Sequence, residues 1–287
     1  MTRHPLRPAI MEAERLLASA GVDSPRVDAE LLAAHVLGVE RSRLPLIPMV
    51  DPAVVDALHK VVRQRMTRVP LQHITGWAHL GGLDLEVGPG VFIPRPETEL
   101  MLEWGLCTVD GADAPVVVDL CTGSGALALA AAHRLPHASV HAVERDPGAL
   151  AWARRNAEAR AAAGDTPITL HAGDVTAADV LSDLDGRVDL VLCNPPYVPD
   201  GTEVPPEVAE HDPRHAVFGG EDGLDVIRHV VGVAARLLKP GGHVAIEHDD
   251  TQGAIVPALL GARKVLTDVE DHPDLAWRSR FSTARRV

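Results

Sequence analysis

From Pro115 onward, short apolar and β-branched runs alternate with stretches of helical spacing. That alternation narrows the fold more than any other feature of the chain. Residues 116–120, 139–144, 168–171 and 188–193 read as strands, and 126–134, 147–163 and 222–238 as helices. Lys239-Pro240-Gly241-Gly242 closes the last of these, a strand follows at 243–247, a helix at 251–260, and two further strands lie within 263–287. Strand and helix in strict alternation predict a mostly parallel sheet with helices on both faces, because parallel neighbours need a crossover connection.

The first seventy-odd residues follow a different rule. Residues 8–20 carry apolar side chains at helical spacing and stop at Gly21. Ser24-Pro25 and Asp51-Pro52 each read as an N-cap followed by proline at the first helical position. Between Pro70 and Pro94 glycines punctuate short alternating segments, the pattern of a β-hairpin. Three parts are therefore expected: a helical module over 1–75 that helps hold a substrate or caps the core, a hairpin linker over 76–94, and an α/β domain over 95–287.

A formal net charge of −13 argues against broad binding to nucleic acid, which depends on Lys and Arg neutralising phosphates. No stretch resembles a membrane span or a signal peptide. Cys107, Cys121 and Cys193 form neither a disulfide framework nor a metal-ligand spacing, so no metal is expected. A cytosolic enzyme is the expectation.

The chemistry is concentrated at strand ends. Asp189–Cys193 is a buried-strand run that stops at Asn194-Pro195-Pro196-Tyr197. Each proline removes a backbone donor and holds the preceding residue extended, so the turn is stiff. It presents the Asn194 amide, the carbonyls around Pro195 and the Tyr197 ring at the carboxyl end of a strand, where open α/β sheets bind ligands. The Asn194 oxygen and a proline carbonyl make a pair of acceptors suited to a planar NH2 group.

Upstream, Asp119-Leu120-Cys121-Thr122-Gly123-Ser124-Gly125 is a glycine-rich strand-to-helix turn. Its glycines admit close backbone approach, and the helix N-terminus offers free N–H groups. It is neither an NTPase phosphate loop, lacking Gly-Lys-Ser/Thr, nor the three-glycine dinucleotide fingerprint. About twenty residues on, the next strand ends in Glu144, placed to accept ribose hydroxyls. Asp174 and Val175 follow the third strand, within reach of an adenine amino group and ring face.

Glycine turn, ribose acid, adenine acid and Asn-Pro-Pro-Tyr in this order resemble the class I S-adenosylmethionine-dependent methyltransferases. That resemblance implies a Rossmann-like domain with a seven-stranded sheet. Along nearly its whole length the chain is similar to the peptide chain release factor N5-glutamine methyltransferases. The stretches that carry this are 24–32, 70–76, Phe92-Ile93-Pro94-Arg95-Pro96-Glu97-Thr98-Glu99, the glycine turn, 194–199 and Phe218-Gly219-Gly220-Glu221-Asp222-Gly223-Leu224-Asp225.

The resemblance implies S-adenosylmethionine as cofactor and, as substrate, the glutamine amide of the Gly-Gly-Gln loop in class 1 release factors. Asp119, Cys121, Thr122, Gly123, Ser124, Gly125, Glu144, Asp174, Val175 and Asn194 are the expected cofactor residues. Asn194, Pro195, Pro196 and Tyr197 are the expected catalytic residues, and these four with Arg95 and Glu97 the expected substrate contacts. A methyltransferase acting on exocyclic amines of nucleic acid shares Asn-Pro-Pro-Tyr and stands as the alternative.

The chain departs from the family pattern at Glu247-His248-Asp249-Asp250, where a glycine usually follows the glutamate, at Leu80–Leu83, which lacks an aromatic residue, and at Glu144, where aspartate is commoner. Cys121 and Cys193 are expected to lie close together as packing residues. His211, His215 and His248 are expected to be surface or loop residues.

Overall fold

The computed structural model describes residues 3–287. Two compact units divide the chain. One comprises the chain up to Trp77 together with Pro205–His211, the other Ala78–Val204 with Asp212–Val287.

The first unit begins with β1 (His4–Pro5), α1 (Leu6–Ser19), α2 (Pro25–Leu37), β2 (Met49–Val50), α3 (Pro52–Met66) and α4 (Leu71–Thr75). Ser24 and Asp51 occupy the N-cap positions with proline next in line, although neither side chain makes a capping hydrogen bond. Gly38 ends α2 in the left-handed conformation at φ 64°, the usual way to close a helix. Leu6, Leu17, Leu32, Leu58 and Val62 form its core, each side chain contributing about 1.5–3 kcal/mol by burial.

The second unit opens on β3 (Trp77–Leu80), all but its first residue, and β4 (Leu83–Glu86), which pair as a hairpin. Gly81 and Gly82 both have positive φ, 59° and 82°, which a tight two-residue hairpin turn requires. The order then runs α5 (Thr98–Thr108), β5 (Val116–Leu120), α6 (Ala126–Arg134), β6 (Ser139–Glu144), α7 (Pro147–Ala162), β7 (Thr169–Ala172) and β8 (Val188–Cys193). Two short helices follow, α8 (Pro206–His211), which belongs to the first unit, and α9 (Arg214–Val217). The chain closes with α10 (Asp225–Leu237), β9 (Leu238–Glu247), α11 (Ile255–Gly261), β10 (Leu266–Pro273) and β11 (Ser279–Arg286).

The seven-stranded sheet has the order β10-β11-β9-β8-β5-β6-β7. Its strands are parallel except β11, which runs antiparallel to both β9 and β10. This is the expected Rossmann-like architecture. Period-two alternation sorts the strands onto two cores. Val117, Leu190 and Leu192 pack with Met101 and Leu102 of α5 and Leu129 of α6. Val118, Leu120 and Val191 pack with Ile227 and Val230 of α10 and Val256 of α11. The strand order reverses between β5 and β8, so a crevice opens beyond their carboxyl ends.

Two local expectations are corrected. Residues 239–242 do not separate a helix from a strand but lie within β9, looped out between the pairings Val188–Leu238 and Leu190–His243. The helix expected over 251–260 is split into a short 3-10 turn, Asp250–Gln252, which Asp249 and Gln252 cap reciprocally, and α11. Among the described residues no helix is long and apolar enough to cross a membrane.

Candidate functional site

A cavity lies at the carboxyl ends of β5, β6, β7 and β8, with Cys121, Thr122, Gly123, Ser124, Glu144, Asp174, Val175, Asn194 and Pro196 on its wall. The glycine turn is wound tightly enough that Cys121, Gly123 and Gly125 all take positive φ (63°, 58° and 86°). For Cys121 that is an uncommon conformation. Neighbouring strands hold it. Thr122 N–H donates to Val143 O at 3.0 Å and Gly123 N–H to Glu144 Oε2 at 2.9 Å. A Cβ added at Gly123 would meet nothing within 4 Å, so the outer face of the turn is open to a ligand.

Beneath the turn, Asp119 is fully buried. Its Oδ2 accepts from Thr122 Oγ1 and, at 3.1 Å, from Ala128 N–H. Its Oδ1 is buried without a hydrogen-bond partner among the described residues. Burial pushes the Asp119 carboxyl up to about 7 against the pull of those two donors. Asp119 and Gly125 are absent from the cavity wall, so they shape the turn from behind.

Glu144 Oε1 accepts from Asp146 N–H at 2.8 Å while Oε2 takes Gly123 N–H. A carboxylate has about four acceptor sites, so both oxygens keep capacity for a diol. Asp174 Oδ1 accepts from Thr176 N–H at 2.9 Å and Oδ2 lies 3.6 Å from Arg145 Nη1. Burial raises the Asp174 pKa, but the Thr176 hydrogen bonds and Arg145 outweigh it, and the carboxyl stays below its ordinary range. An aromatic amine, a diol and a cationic group match this set of acceptors.

The far end of the cavity is built differently. Asn194 Nδ2 donates to Thr98 Oγ1 at 3.1 Å, and Thr98 Oγ1 donates to Glu247 Oε2 at 2.8 Å. Tyr197 Oη donates to Glu247 Oε1 at 3.2 Å. Glu247 is buried, which pushes it up to about 7 despite Thr98, Arg280 and Tyr197. Burial and the adjacent Glu247 charge raise the Tyr197 phenol as well.

The backbone of this turn is held in the same way. Gln252 Nε2 donates to Tyr197 O at 3.0 Å and to Asp222 O at 3.2 Å. Gly219 and Gly223 pack directly on it: a Cβ at Gly219 would stand 2.5 Å from Pro196 O, and one at Gly223 would collide with Tyr197 O. The Gly-Gly-Glu-Asp-Gly-Leu stretch thus acts as a backbone brace for Asn-Pro-Pro-Tyr.

A family model described as the PrmC N-terminal domain matches residues 8–76, and the methyltransferase small domain matches residues 98–255. The release factor glutamine methyltransferase of Mycolicibacterium smegmatis is 54% identical over 287 residues, 100% of this chain and 99% of that protein. The chain belongs to the release factor glutamine methyltransferase family. The Streptomyces coelicolor protein of the same name is 50% identical over 283 residues, 97% of each chain. A 4-amino-L-phenylalanine/4-methylamino-L-phenylalanine methyltransferase of Streptomyces pristinaespiralis is 41% identical over 265 residues, 90% of this chain and 87% of that protein. A crystal structure of a methyltransferase from Pyrococcus furiosus shares the fold at a TM-score of 0.50 and 20% identity, covering 71% of this chain and 89% of that one.

In this release factor glutamine methyltransferase family member, not every expected site residue reaches the cavity wall. Pro195 and Tyr197 are not among the residues that line it, and Tyr197 turns its hydroxyl to Glu247. Arg95 is likewise off the wall, pairing with Asp212 at 2.7 Å and lying over the Phe92 ring, and Glu97 precedes α5. Thr98, Phe92 and His215 do line the cavity without having been singled out as site residues.

Cys121 packs on the cluster that contains Cys193, and burial followed by the neighbouring Cys121 raises the Cys193 thiol, as expected of packing residues. His248 corrects an expectation: it is fully buried, because pairing of its N–H with Arg280 O at 2.9 Å carries β9 one residue further into the sheet. Its Nδ1–H donates to Asp249 O at 2.9 Å, and Nε2 lies 2.7 Å from Ser282 Oγ.

Proposed function

We infer that this protein binds S-adenosylmethionine in the cavity and methylates the side-chain amide nitrogen of the glutamine in the Gly-Gly-Gln loop of class 1 peptide chain release factors. The observation that carries the reading is Asn194, on the cavity wall at the end of β8, with its NH2 engaged by Thr98 and its carbonyl oxygen left for a substrate. When bound, the cofactor supplies an electrophilic methyl group. Cys121, Thr122, Gly123 and Ser124 hold its polar chain, Glu144 its ribose, and Asp174 with Val175 its adenine.

An amide nitrogen is a weak nucleophile because its lone pair is delocalised, so the protein's contribution is placement and charge stabilisation. Asn194 Oδ1 and the Pro195 carbonyl accept the two hydrogens of the substrate NH2. Two acceptors on those hydrogens favour the pyramidal nitrogen and stabilise positive charge as it develops. Pro196 and the braced backbone behind it keep the pair of acceptors in register. The Arg95–Asp212 pair and Glu97 border the approach of the substrate loop, and the helical first unit holds the body of the release factor. The reaction belongs to the cytoplasm, where release factors act, and requires no contact with nucleic acid.

The test is incubation with labelled S-adenosylmethionine and three acceptors: a class 1 release factor, duplex DNA and 4-amino-L-phenylalanine. One methyl group on the Gly-Gly-Gln glutamine, located by mass spectrometry, is the expected result. Label on the DNA or the free amino acid, with none on the release factor, overturns the substrate while leaving the cofactor site intact.

A further inference from the structure

Thr98 and Glu247 belong to no expected set of site residues, yet both are buried, Thr98 one hydrogen bond from Asn194 and Glu247 two. A carboxamide looks nearly the same to its surroundings either way round, and only one way grips an NH2 group. With Oδ1 facing the cavity, Asn194 accepts a hydrogen from the substrate. With Nδ2 facing it, two donors oppose each other and the grip is lost. Something must therefore choose between the two.

We propose that Thr98 and Glu247 are positioning residues that set the orientation of the Asn194 carboxamide. A threonine hydroxyl has one hydrogen. The Glu247 carboxylate only accepts, so it takes that hydrogen at 2.8 Å. Thr98 Oγ1 is then restricted to accepting, and what it accepts from Asn194 at 3.1 Å is necessarily Nδ2–H. Oδ1 is left on the cavity side, where no donor among the described residues engages it. Tyr197 Oη, donating to the second oxygen of Glu247 at 3.2 Å, holds the carboxylate in place, so the aromatic residue of the motif acts through Glu247. The direction of every hydrogen bond in this chain follows from a single negative charge at its end.

The inference rests on the amide-methylating reading, and the test separates the two. Steady-state kinetics on the release factor are measured for wild type, Thr98→Val, Thr98→Ser and Glu247→Gln, with S-adenosylmethionine affinity and thermal midpoint recorded for each. Thr98→Val removes the director, and kcat is expected to fall by about 10- to 100-fold, the order of one misdirected hydrogen bond at the reacting group. Thr98→Ser restores the hydroxyl and is expected to lie within about threefold of wild type.

Glu247→Gln keeps size and burial but removes the charge that obliges Thr98 to donate, since a glutamine can turn either its oxygen or its NH2 to Thr98. The Thr98 hydrogen is then free to reach Asn194 Oδ1, and kcat is expected to fall as far as in Thr98→Val. KM for the release factor and cofactor affinity are expected to stay within a few-fold throughout. Wild-type rates in Glu247→Gln, or equal losses in Thr98→Ser and Thr98→Val, overturn the orientation role. Glu247→Gln remains informative if Thr98→Val does not fold. Absence of methylation by the wild type is instead a failure of the amide reading.

Discussion

The two ends of the cavity hold polar groups by opposite means. At the glycine-turn end, the groups that face a ligand are positioned by backbone a few residues away or on the next strand: Glu144 takes the N–H groups of Gly123 and Asp146, and Asp174 takes that of Thr176. At the Asn194 end, the decisive partners are side chains far along the chain. Thr98 is 96 residues from Asn194, and Glu247 is 149 from Thr98 and 50 from Tyr197. Backbone groups survive every substitution except proline and serve many ligands. A side-chain relay is selective, and each member can fail alone. Binding a common cofactor suits the first arrangement, and choosing one face of an amide suits the second.

The contrast is broken most sharply at Asn194. Asn194→Ala is expected to lower kcat by about 100- to 1,000-fold, the range for loss of a group acting on the reacting centre, with cofactor affinity, followed by equilibrium titration, falling far less. Comparable loss of cofactor affinity would mean that the two ends are not separable. At the other end, Glu144→Ala removes a charged acceptor. It is expected to weaken S-adenosylmethionine binding by about 10- to 100-fold, in line with a charge-assisted hydrogen bond, while kcat at saturating cofactor holds.

Acidity tests the same division without a mutation. Glu247 sits near 7 in the folded protein, and its carboxylate form predominates only above that value. Lowering the pH from 8 to 6 is expected to reduce kcat about tenfold, and the Glu247→Gln variant should show a flat profile over that interval. The charged and titratable groups facing Glu247 are Arg280 of β11, Tyr197 and Cys193 at the end of β8, and Glu97 before α5. Stability moves the other way. A carboxyl raised above its unfolded value destabilises the fold at pH above 7, and that cost is relieved as pH falls from 7 toward 4.5. The smallest expected effect is at Asp174, which is partly exposed and already engaged by Thr176. Asp174→Asn should raise the KM for the cofactor about two- to fivefold, measured at saturating release factor.

The same division explains what could be read from sequence. Strand runs, the glycine turn and Glu144 are local patterns, and the sheet arranges them as their spacing implies. Asn-Pro-Pro-Tyr is equally legible as a motif, but the use of Tyr197 is not, because its partner Glu247 is brought alongside only by the β8–β9 pairing. Thr98 lies in a recognisable stretch, and nothing local marks its hydroxyl as facing Asn194. His248 reads as a loop residue because the residues after it are polar, while the extra pairing with Arg280 that buries it is a long-range event. The brace formed by Gly219 and Gly223 is visible only once their backbone is seen against Pro196 and Tyr197.

The first unit also takes a piece from far along the chain, and this has a consequence for how the protein is made. Arg65 of α3 is buried and binds Asp28 at 2.7 Å and Glu207 of α8 at 2.8 Å, and Arg68 reaches the other oxygen of Glu207 at 2.6 Å. Glu207 lies 142 residues downstream of Arg65. At about 5–20 residues per second, a ribosome delivers it roughly 7 to 30 seconds after the arginine. During that interval α1 to α4 wait with Arg65 paired to Asp28 alone and Arg68 without the Glu207 carboxylate, while β5 to β8 and the whole Asn-Pro-Pro-Tyr turn emerge. The unit that begins the chain is thus among the last parts to be finished.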